Sequence, residues 1–227
     1  MDSHFQVTSH HFSAENAFSE SSVLNQEGTR EWVQKITGWE QEIQEATERT
    51  FGFDRLRDVQ RGPINAILSR KDVVVRLPTG GGKSLIFQLP AVLLKKVVVV
   101  VSPLISLMID QLEKLKEKDI AAAVLSSKTS SEERARVEGE LRKDSPSLRV
   151  VYLTPEGVQR KAVKDILKGL SKRKMLTLIA IDEAHCISTW GPDFRPKYLE
   201  LKWMKEQLED VPVVALTASA TPKVTKQ

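Results

Sequence analysis

Five consecutive valines, Val97 to Val101, restrict the fold of this chain more than any other segment. A strand with one face in water alternates apolar and polar side chains. An unbroken β-branched run suits a strand covered on both faces, as in a parallel sheet flanked by helices. The rest of the chain beyond Phe51 agrees. Strand-like runs recur at Val73–Arg76, Val97–Ser102, Arg149–Leu153, Leu176–Asp182 and Val213–Leu216. Helix-like segments lie near Lys83–Leu94, Leu104–Glu117, Ser131–Lys143, Glu156–Leu170 and Pro196–Leu208. In the second of these, Leu104, Leu107, Met108, Leu112 and Leu115 form one apolar face. This alternation predicts an α/β fold, mostly parallel, whose ligands gather at the carboxyl ends of the strands.

Two motifs fall at such ends. Leu77-Pro78-Thr79-Gly80-Gly81-Gly82-Lys83-Ser84 follows Val73–Val75 and precedes a helix-like segment. Glycines let a backbone bend so that successive N–H groups face an oxyanion. Lys83 would neutralise terminal phosphates and Ser84 would give its hydroxyl to Mg²⁺. The strict phosphate-loop pattern has a further glycine where this chain has Leu77. A plain strand-to-helix connection is the alternative. A hundred residues on, Leu176–Ile181 leads straight into Asp182-Glu183-Ala184-His185. A strand ending in two carboxylates suits the other half of a nucleoside triphosphatase site. Asp182 would hold Mg²⁺ and Glu183 would orient the attacking water.

Composition excludes several classes. No apolar run reaches the ~18 residues of a membrane span, and the N-terminus lacks a signal-peptide pattern. The single cysteine, Cys186, allows no internal disulfide and no multi-cysteine zinc site, which makes a reducing compartment the default. His4, His10 and His11 lie in a polar segment and read as solvated. The net charge of +4 is unevenly spread. Residues 1–50 carry three basic and nine acidic side chains, or −6, which leaves 31 basic and 21 acidic, or +10, for the rest. A basic domain of this kind suits a polyanionic partner, or simply a solvated surface.

Residues 1–28, with six serines and no sustained period, read as a flexible polar tail. Residues 29–50 read as an amphipathic helical extension, with Trp32, Ile36, Trp39, Ile43 and Ala46 recurring at three and four. That stripe suits packing against the domain or docking of a partner. Ser126–Arg136 reads as a surface turn opening a helix, with Ser130 or Ser131 as N-cap.

Taken in order, these segments resemble the first RecA-like lobe of RecQ helicases, within the DEAD/DEAH-type superfamily. Phe51–Gln60 looks like the motif that precedes the phosphate loop in RecQ enzymes, and Leu77–Ser84 looks like their PTGGGKS loop. Asp182–His185 looks like the DEAH box, and Ala215–Thr221 like the motif coupling nucleotide state to unwinding. The resemblance implies a RecA-like P-loop domain over residues 51–227 that uses ATP and Mg²⁺. It implies that Gln60 bonds adenine, supported by Arg57, and that Thr79, Gly80, Gly81, Gly82, Lys83 and Ser84 hold the phosphates. Lys83, Asp182, Glu183 and His185 would be catalytic, with Ser84 and Asp182 at the metal. Ser102, Pro103 and Thr154 would grip single-stranded DNA, and Thr217, Ser219 and Thr221 would couple the two activities.

Ser188–Tyr198 is similar to the aromatic-rich loop through which RecQ enzymes sense DNA. Trp190 and Phe194 offer flat faces to bases and Arg195 a guanidinium to phosphate. Pro192 departs from the family, which usually has histidine there. Proline lacks an N–H and fixes φ, so weaker coupling of DNA to ATP is expected. The expected activity is that of the ATP-binding lobe of a 3′–5′ DNA helicase in repair, recombination or replication, located in the nucleus. Single-stranded or partly duplex DNA is the expected partner, without a membrane. A non-catalytic nucleotide- or DNA-binding regulator of a full-length helicase is the alternative. An RNA-directed DEAH translocase is a third reading, against which the aromatic-rich loop argues. Gln227 closely follows the last first-lobe motif. The residues given should therefore bind nucleotide and DNA weakly with little turnover, unless a separate second lobe or full-length helicase pairs with them.

Overall fold

In the computed structural model the described residues are 4–8, 26–187, 195–208 and 210–218. Among them six parallel strands form the body of the sheet: β2 (Asp72–Arg76), β3 (Val97–Val101), β4 (Ala122–Leu125), β5 (Val150–Leu153), β6 (Leu176–Ile181) and β7 (Val213–Thr217). A further strand, β1 (His4–Thr8), pairs antiparallel with β2, and the order across the sheet is β1-β2-β7-β6-β3-β5-β4.

The valine run lies in β3, between β6 and β5, and is buried throughout. Val97, Val99 and Val101 join the core on one face, and Val98 and Val100 the core on the other. The period of two in a strand divides the run this way. The first face is covered by α6 (Ser131–Arg142), α8 (Lys161–Lys172) and α10 (Lys202–Gln207), through Val137, Ile166 and Met204 among others. The second is covered by α3 (Asp58–Leu68), α4 (Lys83–Leu94) and α5 (Ile105–Lys116), through Ile64, Ile86 and Met108. The expected α/β architecture is therefore present. Ser130 caps α6, accepting the Glu133 N–H at 3.2 Å.

Several elements differ from the sequence reading. Residues 4–8, expected within a polar tail, form the edge strand β1. Phe5 is buried over α3, where a Cβ on Gly62 would strike its ring. His10 and His11 lie outside the described residues. The extension is two helices, α1 (Gln26–Gln34) and α2 (Glu40–Arg49), because Gly38 turns at φ +79°. The Glu40 carboxylate holds that break by accepting from Thr37 N–H at 2.6 Å and Gly38 N–H at 3.0 Å. Trp32 and Ile43 pack into the core as the stripe suggests. Ile36 falls in the break and is 83% exposed. Asn65 of α3 donates to the carbonyls of Trp32 and Lys35, so the extension is tied to the domain. The segment 156–170 divides into α7 (Pro155–Val158) and α8, and 196–208 into α9 (Pro196–Leu199) and α10.

Candidate nucleotide site

The glycine loop joins β2 to α4. Its first residue extends the sheet, with Leu77 N–H donating to Thr217 O at 3.1 Å. Gly81 N–H then donates to Pro78 O at 2.9 Å and closes a tight turn. Gly80 and Gly82 take φ +78° and +84°, the left-handed region where a side chain is strained. A Cβ on Gly82 would also run into the Gln60 amide. Lys83 opens α4, and its Nζ donates to Leu77 O at 3.2 Å. Ser84 follows, half-buried, and Thr79 is exposed at the rim.

Gln60 braces this loop from α3. Its Nε2 donates to Gly82 O at 3.2 Å and its Oε1 accepts from Arg57 N–H at 3.0 Å. The side chain is buried, while Arg57 itself is exposed. Gln60 thus sits against the glycine loop, with Arg57 at the N-cap of α3.

The acidic pair arrives from β6. Asp182 N–H donates to Val101 O at 2.9 Å, prolonging the β6–β3 pairing by one residue. Burial raises the Asp182 carboxyl above its ordinary range, and the neighbouring Glu183 charge raises it further. A hydrogen bond from Glu183 N–H, the Lys83 ammonium and the Ser102 hydroxyl act against that rise. Lys83 and Asp182 follow the carboxyl ends of the parallel strands β2 and β6, so the lysine and the carboxylate share one end of the sheet. Glu183 itself adopts φ +51°. Its Oε2 lies 3.1 Å from His185 Nδ1, and that same nitrogen lies 3.2 Å from Thr217 Oγ1.

These contacts form a circuit. Lys83 bonds Leu77, Leu77 bonds Thr217, Thr217 meets His185, His185 meets Glu183, and Asp182 is bonded by Ser102 at 3.4 Å. Among the described residues no three His, Cys, Asp or Glu gather around a metal position. A cation at Asp182 would therefore take most ligands from water and an anionic ligand. That is how Mg²⁺ binds at phosphate sites, and a buried carboxylate short of positive charge fits it.

Two residues assigned to DNA by resemblance have internal duties here. The Ser102 side chain is buried and its hydroxyl donates to Asp182 Oδ2, because the side chain points back into the sheet end. Thr154 caps α7, accepting the Gly157 N–H at 3.1 Å, and is equally enclosed. Neither hydroxyl faces outward to a phosphate. Pro103 is half-buried and Arg195 exposed. Trp190, Pro192, Phe194, Ser219 and Thr221 lie outside the described residues.

Tyr198 also belongs to the site, which sequence reasoning does not reveal. Its hydroxyl donates to the Asp182 carbonyl at 3.0 Å, and burial keeps the phenol protonated by pushing its pKa up. The local signal is only an aromatic in a short helical turn. The hydrogen bond itself spans sixteen residues.

Comparison with known proteins gives a consistent result. The family described as DEAD/DEAH box helicase matches residues 57–227. The chain is 42% identical over 187 residues to the rat ATP-dependent DNA helicase Q5, covering 82% of this chain and 19% of that protein. It is 40% identical to the Xenopus laevis RecQ-like DNA helicase BLM, covering 82% and 14%. It is 42% identical to the Schizosaccharomyces pombe ATP-dependent DNA helicase hus2/rqh1, covering 83% and 14%. The chain thus spans less than a fifth of these relatives' lengths. A crystal structure of the DUF1998 helicase MrfA bound to DNA superposes with a TM-score of 0.56 at 19% identity, covering 78% of this chain and 26% of that one, a likeness of fold.

Proposed function

The chain belongs to the DEAD/DEAH box helicase family and is 40–42% identical over most of its length to RecQ-type helicases, and from this we propose that it supplies the ATP-binding part of an ATP-dependent DNA helicase. One observation carries the reading: Lys83 and the Asp182–Glu183 pair lie at the carboxyl ends of β2 and β6, the two strands that flank β7, and a chain of contacts through Leu77, Thr217 and His185 links Lys83 to Glu183.

In this reading the N–H groups of Gly80, Gly81 and Gly82 cradle phosphate oxygens, and the N-terminus of α4 adds its dipole. Lys83 leaves Leu77 O for the terminal phosphates. Ser84 and Asp182 would hold Mg²⁺, which would supply neutralisation of phosphoryl charge there. Glu183 accepts a hydrogen bond from the attacking water, and His185 fixes the carboxylate from behind. Gln60 releases Gly82 O or the Arg57 N–H to read the adenine edge, supported by Arg57.

DNA approaches the same strand ends, with Pro103, Arg195 and the loop 188–194 as contacts. Ser102 and Thr154 shape that surface from beneath. Thr217, bonded to the phosphate loop and to His185, couples the two activities. Movement in the 3′–5′ direction, a part in DNA repair, recombination or replication, and a nuclear location belong to the same proposal. The 227 residues alone are expected to turn ATP over slowly, since the RecQ resemblance assigns the transition-state arginines to a second lobe.

A fluorescent ATP analogue tests the site directly. The chain should bind it in a Mg²⁺-dependent way, and Lys83→Ala should weaken binding by ~10- to 100-fold, the scale of removing one charge-assisted hydrogen bond. Binding that is indifferent to Mg²⁺ and to Lys83→Ala would remove the proposal. Anisotropy with a labelled single-stranded oligonucleotide tests the DNA part.

A further inference from the structure

The peptide between Asp182 and Glu183 is held from both sides. Its carbonyl accepts from the Tyr198 hydroxyl at 3.0 Å. Its N–H donates to the Asp182 carboxylate. The orientation needs such support, because Glu183 occupies the left-handed region at φ +51°. A non-glycine residue there is unfavourable by ~1–2 kcal/mol. The carboxylate cannot be replaced by glycine if it is to act on water, so the strain has to be offset by neighbours.

Tyr198 is well placed to offset it. Its ring is 1% exposed, packed in the same core cluster as Ala184, Cys186 and Leu201. A buried hydroxyl without a partner would be costly, so the bond to Asp182 O is enforced from both ends. The turn that carries it is anchored just before, where Arg195 N–H donates to Cys186 O at 3.0 Å.

We propose that Tyr198 is a positioning residue for the acidic pair: its hydroxyl locks the Asp182–Glu183 peptide so that Asp182 faces the metal position and Glu183 faces His185. This rests on reading Asp182 as the Mg²⁺ contact, and it assigns a role to a residue outside the phosphate loop and the DEAH box. It also gives the segment following residues 188–194 a direct hydrogen bond to the catalytic backbone.

Tyr198→Phe removes one oxygen and keeps the ring. Binding of a fluorescent ATP analogue is measured in Mg²⁺ and in EDTA. Affinity in EDTA should be unchanged, while the gain in affinity on adding Mg²⁺ should shrink ~10-fold, the scale of removing hydrogen-bond support from a metal ligand. Trp203→Phe trims another buried aromatic of the same cluster and should leave that gain intact. Hydrogen exchange at the Glu183 amide gives a second readout on the unsubstituted chain. That amide should exchange slowly, and faster in Tyr198→Phe. A Mg²⁺ gain equal in Tyr198→Phe and the parent, or a Glu183 amide exchanging as an open loop does, would overturn the assignment. If the parent shows no Mg²⁺ gain, the nucleotide reading itself fails. Amide exchange then still decides whether Tyr198 holds the peptide.

Discussion

Among the described residues, the two ends of the sheet use the left-handed backbone region in opposite ways. At the carboxyl ends it falls on Gly80 and Gly82, with Glu183 as a charged exception. At the amino ends it falls on Arg70, Lys95, Asp119, Lys174 and Asp210, which lead into β2, β3, β4, β6 and β7. Each of these five follows a helix and turns the chain back into the sheet. Around three of them the capping pattern is complete, with Lys71 N–H to Ala66 O, Ile120 N–H to Leu115 O and Met175 N–H to Leu170 O. Such turns ask only for a conformation, and a charged side chain can extend into water. The glycine loop asks for the same conformation and, at Gly82, for the absence of a Cβ, because Gln60 fills that position; in the proposed role its backbone N–H groups would also have to meet a ligand. At Gly82 glycine is therefore dictated by crowding as well as by φ, and at Gly80, where a Cβ would meet nothing, by φ alone.

Gly82→Ala tests that difference most severely. The new methyl group meets strain of ~1–2 kcal/mol and displaces Gln60, losing a further ~1 kcal/mol for a broken hydrogen bond. The melting temperature should fall by roughly 5–10 °C. Binding of the ATP analogue should be abolished with it. A variant that melts and binds like the parent would show that the two ends do not differ in kind.

Asp182→Asn sharpens the comparison in a second way, because at the site end stability and function oppose each other. Burial raises this carboxyl above its ordinary value of 3.8. The folded state thus holds the proton longer than the unfolded chain does. Ionisation weakens the fold as pH rises from the ordinary value through the raised one. Asparagine has no such charge. The ligand-free variant should therefore melt above the parent at pH 7, and the difference should close as pH falls below 3.8. The Mg²⁺-dependent gain in ATP affinity should disappear. A lower melting temperature at pH 7 would mean that Lys83, Ser102 and the Glu183 amide more than offset the burial.

What was legible in the sequence follows the range of each signal. The glycine loop, the valine strand and the acid pair at the end of β6 are local patterns, and the structure places them as the patterns predict. Strand β4 escaped because it is four residues long with alternating burial, beside β5 at the sheet edge. Helix α3 escaped because Gly62 and Pro63 lie inside it and depress helix propensity, while its residues 60 and 62–67 are buried. Strand β1 escaped because its pairing is backbone to backbone at an edge, and only Phe5 marks it. Ser102, Thr154 and Tyr198 could not be assigned partners from sequence. Their partners are set by register across the sheet or by the return of a loop, with Ser102 and Asp182 eighty residues apart.

Lys95→Gly makes the smallest change and approaches the comparison from the other end. Lys95 follows α4 at φ +51°, its N–H donating to Val92 O at 3.3 Å, and its side chain is exposed. Glycine relieves ~1–2 kcal/mol of backbone strain but adds ~0.5–1 kcal/mol of unfolded-state entropy. The net gain should be about 0.5 kcal/mol, or about 1–2 °C in melting temperature. ATP binding should not move, since α4 separates this turn from Lys83 by its whole length. A neutral or stabilised Lys95→Gly beside a crippled Gly82→Ala would show that the same region of φ serves turning at one end and ligand access at the other. A drop in ATP affinity in Lys95→Gly would instead make the turn part of the site.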